Sequence, residues 1–422
     1  AAAMQELLQY PREDFMEALR DLLVSEFHDI LPGSSIQPVE DAGLRLMDHA
    51  LEILSRLRAR TFFALASGQP KAKEGEIPVL VYNPHPFPIR AIVECEFQLP
   101  DFEWGDQFTV PLVHQNGVAL ACQTEQELGN LNLDWRKRSV FLAELSPSQM
   151  NRFDCRLKVL PRRAKPKLRK KDGAFAFKTD DIEFVVNAKT GLVDKFAVDG
   201  FDYVKSNAFQ LLVIEDNEDP WEAVGQSFRN VIGSFKLMSR KEGTRFSGVK
   251  EKALDSVRVI EDGEVRTVIE ALFSYGDSFA IIHYKLPKRG SEIEVALRVH
   301  WSEKSKFLKL SVPTAFDDAA YCGQVAYGVQ WFPTTGRELA AQKWTAAVSE
   351  KAGKAITCIN AGTYGSDFAD GELRVSLVRG PAYSALPIND RPLVRQDRYS
   401  PRIDQGERLF KFWFNAGSRK ER

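Results

Sequence analysis

Apolar positions recur at helical spacing up to about residue 70 and at strand spacing beyond it. From Pro11 onward, Phe15, Leu19, Leu22, Leu23 and Phe27 fall three and four apart, which predicts one buried helix face. Pro11 suits a first helical turn, and Glu13 and Asp14 favour the positive helix end beside it. The run Leu31-Pro32-Gly33-Ser34-Ser35 breaks that helix. A second helix starts near Pro38, with Glu40 and Asp41 in its first turn. Val39, Leu46, Met47, Ala50, Leu54 and Leu57 form its expected buried stripe. Residues 1–70 therefore read as a helical hairpin or part of a small bundle.

Lys71-Ala72-Lys73-Glu74-Gly75 is a polar linker, after which the period falls to two. Ile293, Val295, Leu297, Val299 and Trp301 alternate with Glu294, Ala296, Arg298 and His300, the pattern of a half-buried antiparallel strand. Leu373, Val375 and Leu377 alternate likewise, and similar runs recur from Val79 to Phe414. Leu409 to Phe414 is so apolar that it requires a neighbour on both sides, and further chain is expected beyond it. The basic run from Pro161 to Lys171 divides the β part and reads as a solvated connection rather than an anion site. The fold class is mainly β with an N-terminal helical segment. A small helical bundle over 1–70 is followed by a smaller β-sandwich over 76–160. A large antiparallel β-supersandwich, expected to be truncated, then covers 172–422.

Composition removes some functions without choosing one. The chain of 422 residues is 44% hydrophobic and carries 57 basic against 58 acidic side chains, so no global charge points to nucleic acid or membrane partners. No apolar run reaches the roughly 20 residues of a membrane span. Cys95, Cys122, Cys155, Cys322 and Cys358 are scattered and never form a CxxC pair, which favours a reducing cytoplasm over a disulfide framework.

Local motifs for chemistry are few. His28, His49, His85, His114, His283 and His300 form no HxH or HExxH pair, and a nucleophile elbow, a P-loop and a dinucleotide fingerprint are absent. Phe27-His28-Asp29-Ile30-Leu31-Pro32-Gly33-Ser34-Ser35-Ile36 sets an imidazole beside a carboxylate on a turn between two helices. The imidazole is a zinc ligand when neutral, and the carboxylate suits sugar hydroxyls. The alternative is a histidine stabilised by a helix C-terminus. Trp331, Trp344 and Tyr364 suit sugar stacking, with core packing as the default. His300 reads as a surface residue, His85 as a loop brace, and Asp219-Pro220-Trp221 as a structural turn.

Residues 27–36 resemble the FHDILPGSSI signature of glycoside hydrolase family 38, the α-mannosidases. Val81-Tyr82-Asn83-Pro84, Asp219-Pro220-Trp221-Glu222, Tyr327-Gly328-Val329, Pro333-Thr334, Gln342-Lys343-Trp344, Asn360, Tyr364-Gly365, Asp367 and Leu377-Val378-Arg379-Gly380-Pro381 follow in family order. The later segments resemble the bacterial branch. The resemblance implies the middle and C-terminal part of a zinc-dependent retaining α-mannosidase that hydrolyses terminal α-mannosides. It makes His28 one zinc ligand and Asp29 a substrate contact. No catalytic residue is expected in this chain: the nucleophile and the acid/base belong to an N-terminal domain that finds no match here. Zinc is then expected to be weak or absent in the chain alone, since one neutral ligand supplies too few donors. The implied partners are an α-mannoside oligosaccharide and that N-terminal catalytic domain, and the implied location is a bacterial cytoplasm. A homo-oligomer is left open. Departures from the family pattern are Gln330-Trp331-Phe332, Ala361, Thr363 and His85-Pro86, which bear on substrate preference. The competing function is a non-catalytic carbohydrate-binding or structural β-sandwich module.

Overall fold

The computed structural model describes every residue except 1, 4, 104, 106, 128, 130–133, 222–226, 251–252, 387, 389–390 and 419–422. The chain divides into two compact units, residues 1–165 with 263–265 and residues 166–262 with 266–422. It is mainly β, with a short helical segment at its start.

In the first unit, α1 (Arg12–Ser25) follows Pro11, and α2 (Gln37–Ala66) carries Pro38 in its first turn. The two helices meet through small side chains. Ala18 of α1 clusters with Ala50, Ile53 and Leu57 of α2, and Ser25 Oγ donates to the Gly43 carbonyl at 3.4 Å. A Cβ at Gly43 would stand 3.0 Å from Ile30 Cγ2, so this approach needs glycine. The expected stripes are corrected here. Phe15, Leu19, Leu22, Leu23 and Phe27 are all exposed, as are Met47 and Leu54, while Ala50 and Leu57 are buried. Close approach at Ala18, Ser25 and Gly43 admits Ile53 and Leu57 of α2 between the helices but leaves no room for the leucine stripe of α1. The larger side chains therefore point outward.

The same unit contains two sheets. One has the strand order Glu76–Asn83, Gln149–Leu160, Phe108–Gln115, Val118–Ala119, and the other Ile89–Glu103, Asp134–Leu145, Cys122–Glu125. Val113, Phe141, Ala143, Phe153 and Cys155 close a shared core, the two phenylalanine rings 4.9 Å apart.

Three sheets build the second unit. The six-stranded sheet runs Val231–Ser234, Gln210–Glu215, Lys306–Pro313, Glu372–Arg379, Gly365–Ala369, Leu339–Ala340. The ten-stranded sheet contains, side by side, Ser278–Pro287, Ile293–Trp301, Gly406–Ser418, Lys354–Asn360, Trp344–Ser349, Ala319–Val325 and the edge strand Gly328–Phe332. A four-stranded sheet adds Phe184 and Phe196 to the core they share with Leu308, Leu310, Trp301, Phe412 and Phe414. Burial of each such side chain contributes about 1.5–3 kcal/mol. Ile293–Trp301 is a strand with its odd-numbered positions buried, as the alternation predicts. The whole apolar run Leu409–Phe414 pairs with Ile293–Trp301, but only Phe412–Phe414 pair with Lys354–Asn360 as well, and Leu409 stays exposed. Leu377 departs from its pattern. A bulge opposite Leu308/Lys309 shifts the register, so Val378 is buried in its place.

The basic connection ends in a fixed latch. Asp262 accepts from the backbone N–H of Lys167 and Leu168, from Thr267 Oγ1 and from Lys288 Nζ, all within 2.7–2.8 Å. These donors outweigh its burial and hold its carboxyl at about 2.

Candidate functional site

His28 and Asp29 stand three and four residues past the end of α1, in the turn before α2. His28 Nε2 lies 3.6 Å from an Asp29 carboxylate oxygen, with the side chains 75% and 41% exposed. The His28 ring packs on Phe27 at 4.2 Å between centroids. An accessible imidazole and carboxylate thus share one corner. Zinc requires three or four well-placed donors. Among the described residues no group of three or more His, Cys, Asp or Glu is arranged to hold a metal ion. This corner brings two described donors, fewer than zinc requires.

Four of the other histidines have separate partners, while the buried Nδ1 of His114 has no hydrogen-bond partner among the described residues. His49 Nδ1 lies 2.7 Å from Asp21, and His283 Nε2 lies 2.8 Å from Glu270. His300 stacks on Phe279 at 4.8 Å, and His85 stacks on Phe87 at 5.2 Å. Burial pushes the Cys95 thiol up to about 11 and Cys155 up to about 12, so neither is a ready nucleophile at neutral pH. No helix among the described residues is long and apolar enough to cross a membrane.

Several other motif residues act as fasteners within their units. Asn83 is fully buried, donates to the carbonyls of Phe87 and Leu145 at 3.1 and 3.2 Å, and accepts from the His85 backbone N–H at 3.0 Å. Asn360 joins three segments. Its side-chain amide donates to the Gln342 carbonyl at 3.1 Å, and its oxygen accepts from the N–H groups of Gly362 and Thr363 at 3.0 Å. The Gln342 and Lys343 N–H groups donate to the backbone and side-chain oxygens of Gln324, at 2.8 and 3.2 Å. The Ala341 N–H donates to the Tyr364 carbonyl at 2.9 Å. Ala361 and Thr363, two departures from the family pattern, lie in the loop that Asn360 holds.

A second junction joins two further motifs. Arg379 makes two 2.8 Å bonds to the buried carboxylate of Asp216 and donates to the Asp219 carbonyl at 3.2 Å. Asp219 accepts from the Trp221 N–H at 2.9 Å, which makes the segment a structural turn. Glu222 lies outside the described residues. Trp331 and Tyr364 are 52% and 53% exposed, against the core packing expected of them. Trp331 is on an edge strand and Tyr364 is in a loop, where no second layer covers them. Trp344 is partly buried against a small apolar cluster.

Sequence patterning misses one constellation. Lys309 is fully buried and pairs with Glu338 and with Asp367, the latter at 2.5 Å. Arg229 pairs with Asp367 and Glu372, and Arg374 pairs with Glu372 at 2.8 Å. Ser376 donates to Glu338 and Ser311 to Glu372. Burial drives the Glu338 carboxyl up, with Lys309 opposing. The available signals were Asp367, one of the family-like residues, and a lysine between Leu308 and Leu310.

Comparison with known proteins gives these fasteners a context. Residues 187–391 match the family model "Glycosyl hydrolases family 38 C-terminal domain". The fold superposes on an α-mannosidase from Enterococcus faecalis V583 with a TM-score of 0.69 at 13% identity, covering 97% of this chain and 51% of that one. A glycosyl hydrolase family 38 protein from Enterococcus faecalis gives a TM-score of 0.71 at 13% identity, covering 97% of this chain and 53% of that one. This chain thus spans about half the length of these relatives, and at such identity the likeness is one of fold. No curated protein matches the sequence.

Proposed function

We propose that this chain, which carries the C-terminal domain of glycosyl hydrolase family 38 over residues 187–391, is the middle and C-terminal portion of an α-mannosidase. The family match carries the reading. The paired exposure of His28 and Asp29 supports it, because a corner that two helices hold in place is ready to meet a second domain. The outward apolar face of α1 and α2 supports it as well, since large contiguous apolar patches mark surfaces that another element covers.

In this reading the reaction is retaining hydrolysis of a terminal α-mannoside. It needs two carboxyl groups about 5–5.5 Å apart, one attacking the anomeric carbon and one protonating the leaving oxygen. Both come from an N-terminal domain of the parent protein. Zinc, when bound in the assembled enzyme, supplies a Lewis acid for sugar hydroxyls. This chain adds one neutral imidazole, His28, to a donor set completed elsewhere. Asp29, fixed beside it, accepts hydrogen bonds from the sugar bound there.

The test is to express the reading frame with its upstream region and assay an aryl α-mannoside. Activity is expected in the longer protein, retained when zinc is supplied and lost in both His28→Ala and Asp29→Ala. The 422-residue chain alone is expected to be inactive. Activity in the chain alone, or full activity in the His28→Ala longer protein, would overturn the reading.

A further inference from the structure

The outer face of the ten-stranded sheet carries a row of tryptophans that the core does not use. Strand alternation assigns each side chain. On Gly406–Ser418, Phe412, Phe414 and Ala416 enter the core, so Leu409, Lys411, Trp413 and Asn415 face outward. On Lys354–Asn360, Ile356 and Cys358 enter the core, leaving Thr357 and Ile359 outside. On Trp344–Ser349, Ala347 enters, leaving Trp344, Ala346 and Val348 outside. Tyr321 and Phe332 point inward from the last hairpin, so Cys322, Gln324, Val329 and Trp331 point outward.

Register then sets the spacing. Trp344 lies opposite Ile359, and Ile359 opposite Trp413. Trp331 lies opposite Cys322, and Cys322 opposite Ala346, two residues along the strand from Trp344. The three tryptophans thus occupy alternate strands in an oblique row, with Cα separations of roughly 9.5 and 12 Å. Each step is about the length of a disaccharide unit in an extended chain. Ile359 lies between Trp413 and Trp344, and the small residues Cys322 and Ala346 lie between Trp344 and Trp331, in a satellite cluster against which Trp344 packs.

The surroundings are polar, with two ammonium groups near one carboxylate. The Lys411 ammonium stands 5.7 Å from the Trp413 ring centre. Beside it, Glu294 is already engaged by Lys285 at 2.8 Å and lies 3.8 Å from Lys411. Gln324 and Thr357 add neutral hydrogen-bonding groups, while the Asn415 side-chain oxygen is buried. Trp331, Val329 and Leu409 are 52%, 57% and 66% exposed. Tryptophan presents a broad apolar face with a polar edge, and a pyranose presents a C–H face rimmed by hydroxyls.

We infer that this face binds a neutral, extended hexopyranose chain, with Trp413, Trp344 and Trp331 each stacking against a ring of it. The surface belongs to the second unit and the His28–Asp29 corner to the first, and the inference stands whether or not the parent protein cleaves α-mannosides.

The test uses the 422-residue chain, titrated with β-1,4-linked mannobiose and mannohexaose by calorimetry and tryptophan fluorescence. The hexaose is expected to bind about tenfold or more tighter than the biose, because only it spans the row. Trp331→Ala is expected to weaken hexaose binding by about tenfold, with Trp331→Tyr closer to the parent chain. Trp413→Phe guards against misfolding of a half-buried site and is expected to weaken binding less than Trp331→Ala. Equal affinity for biose and hexaose, absence of hexaose binding at millimolar concentration, or undiminished binding by Trp331→Ala would overturn the inference. So would a chain that dimerises through this face and becomes monomeric on Trp331→Ala.

Discussion

Lys309→Met removes the one ammonium that serves both Glu338 and Asp367 inside the second unit. In the folded chain the Lys309 and Asp367 side chains are 0% exposed, so neither gains water when the other is lost. The described residues of the cluster balance three cations, Lys309, Arg229 and Arg374, against three carboxylates, Glu338, Asp367 and Glu372. Methionine keeps most of the volume but leaves one negative charge in excess. Breaking a buried pair in this way costs about 3–5 kcal/mol. For a unit of this size that lowers the melting temperature by roughly 10 °C.

The loss is expected to depend on pH, and the direction follows from Glu338. Burial already raises its carboxyl, and Lys309 is the main influence lowering it. Without Lys309 its folded value rises further. A carboxyl with a raised folded value binds its proton more tightly in the native state, so it stabilises at low pH and that contribution is lost as pH rises through the folded value. Lys309→Met is therefore expected to lose more stability at pH 8 than at pH 5. Adding Glu338→Gln removes the excess charge, and the double variant is expected to recover part of the loss at pH 8. Urea unfolding followed by tryptophan fluorescence at both pH values measures all of this. A single variant that melts within about 2 °C of the parent chain at pH 8, or that is weaker at pH 5 than at pH 8, would refute the reasoning.

Three further outcomes follow from other residues. Asp262→Asn is expected to cost on the order of 1–2 kcal/mol at pH 6 after allowance for screening. Asp262 titrates near 2 when folded against an ordinary 3.8, so its contribution is present above pH 4 and the gap in urea stability should close as pH falls toward 2. Asn360→Ala is expected to cost about 1–3 kcal/mol, because the N–H groups of Gly362 and Thr363 and the Gln342 carbonyl lose a partner; hydrogen exchange should rise at these loops before the core strands. Leu19→Glu with Leu23→Lys is expected to leave the melting temperature of the 422-residue chain within about 2 °C while reducing self-association in sedimentation, since both side chains are exposed.

The sequence made the strands legible wherever one face meets the core, as at Ile293–Trp301, because a period of two is imposed by the pleat itself. It failed by one residue at Leu377, where a bulge changes register without leaving a mark in composition. The helices show a different limit. Periodicity grouped Phe15, Leu19, Leu22 and Leu23 on one side of α1, but which side meets α2 is decided by Gly43 and Ser25, whose small size permits close approach. An apolar stripe shows that a face will be covered, not which partner covers it. The same distinction holds for the sites. His28 and Asp29 are visible as adjacent letters, while Arg229, Lys309, Glu338, Asp367 and Glu372 are separated by up to 143 positions and meet only across folded strands. Trp331, Trp344 and Trp413 become a row only through register, since alternate strands of one sheet set their spacing. A sequence exposes chemistry that is local; chemistry assembled by pairing waits for the sheet.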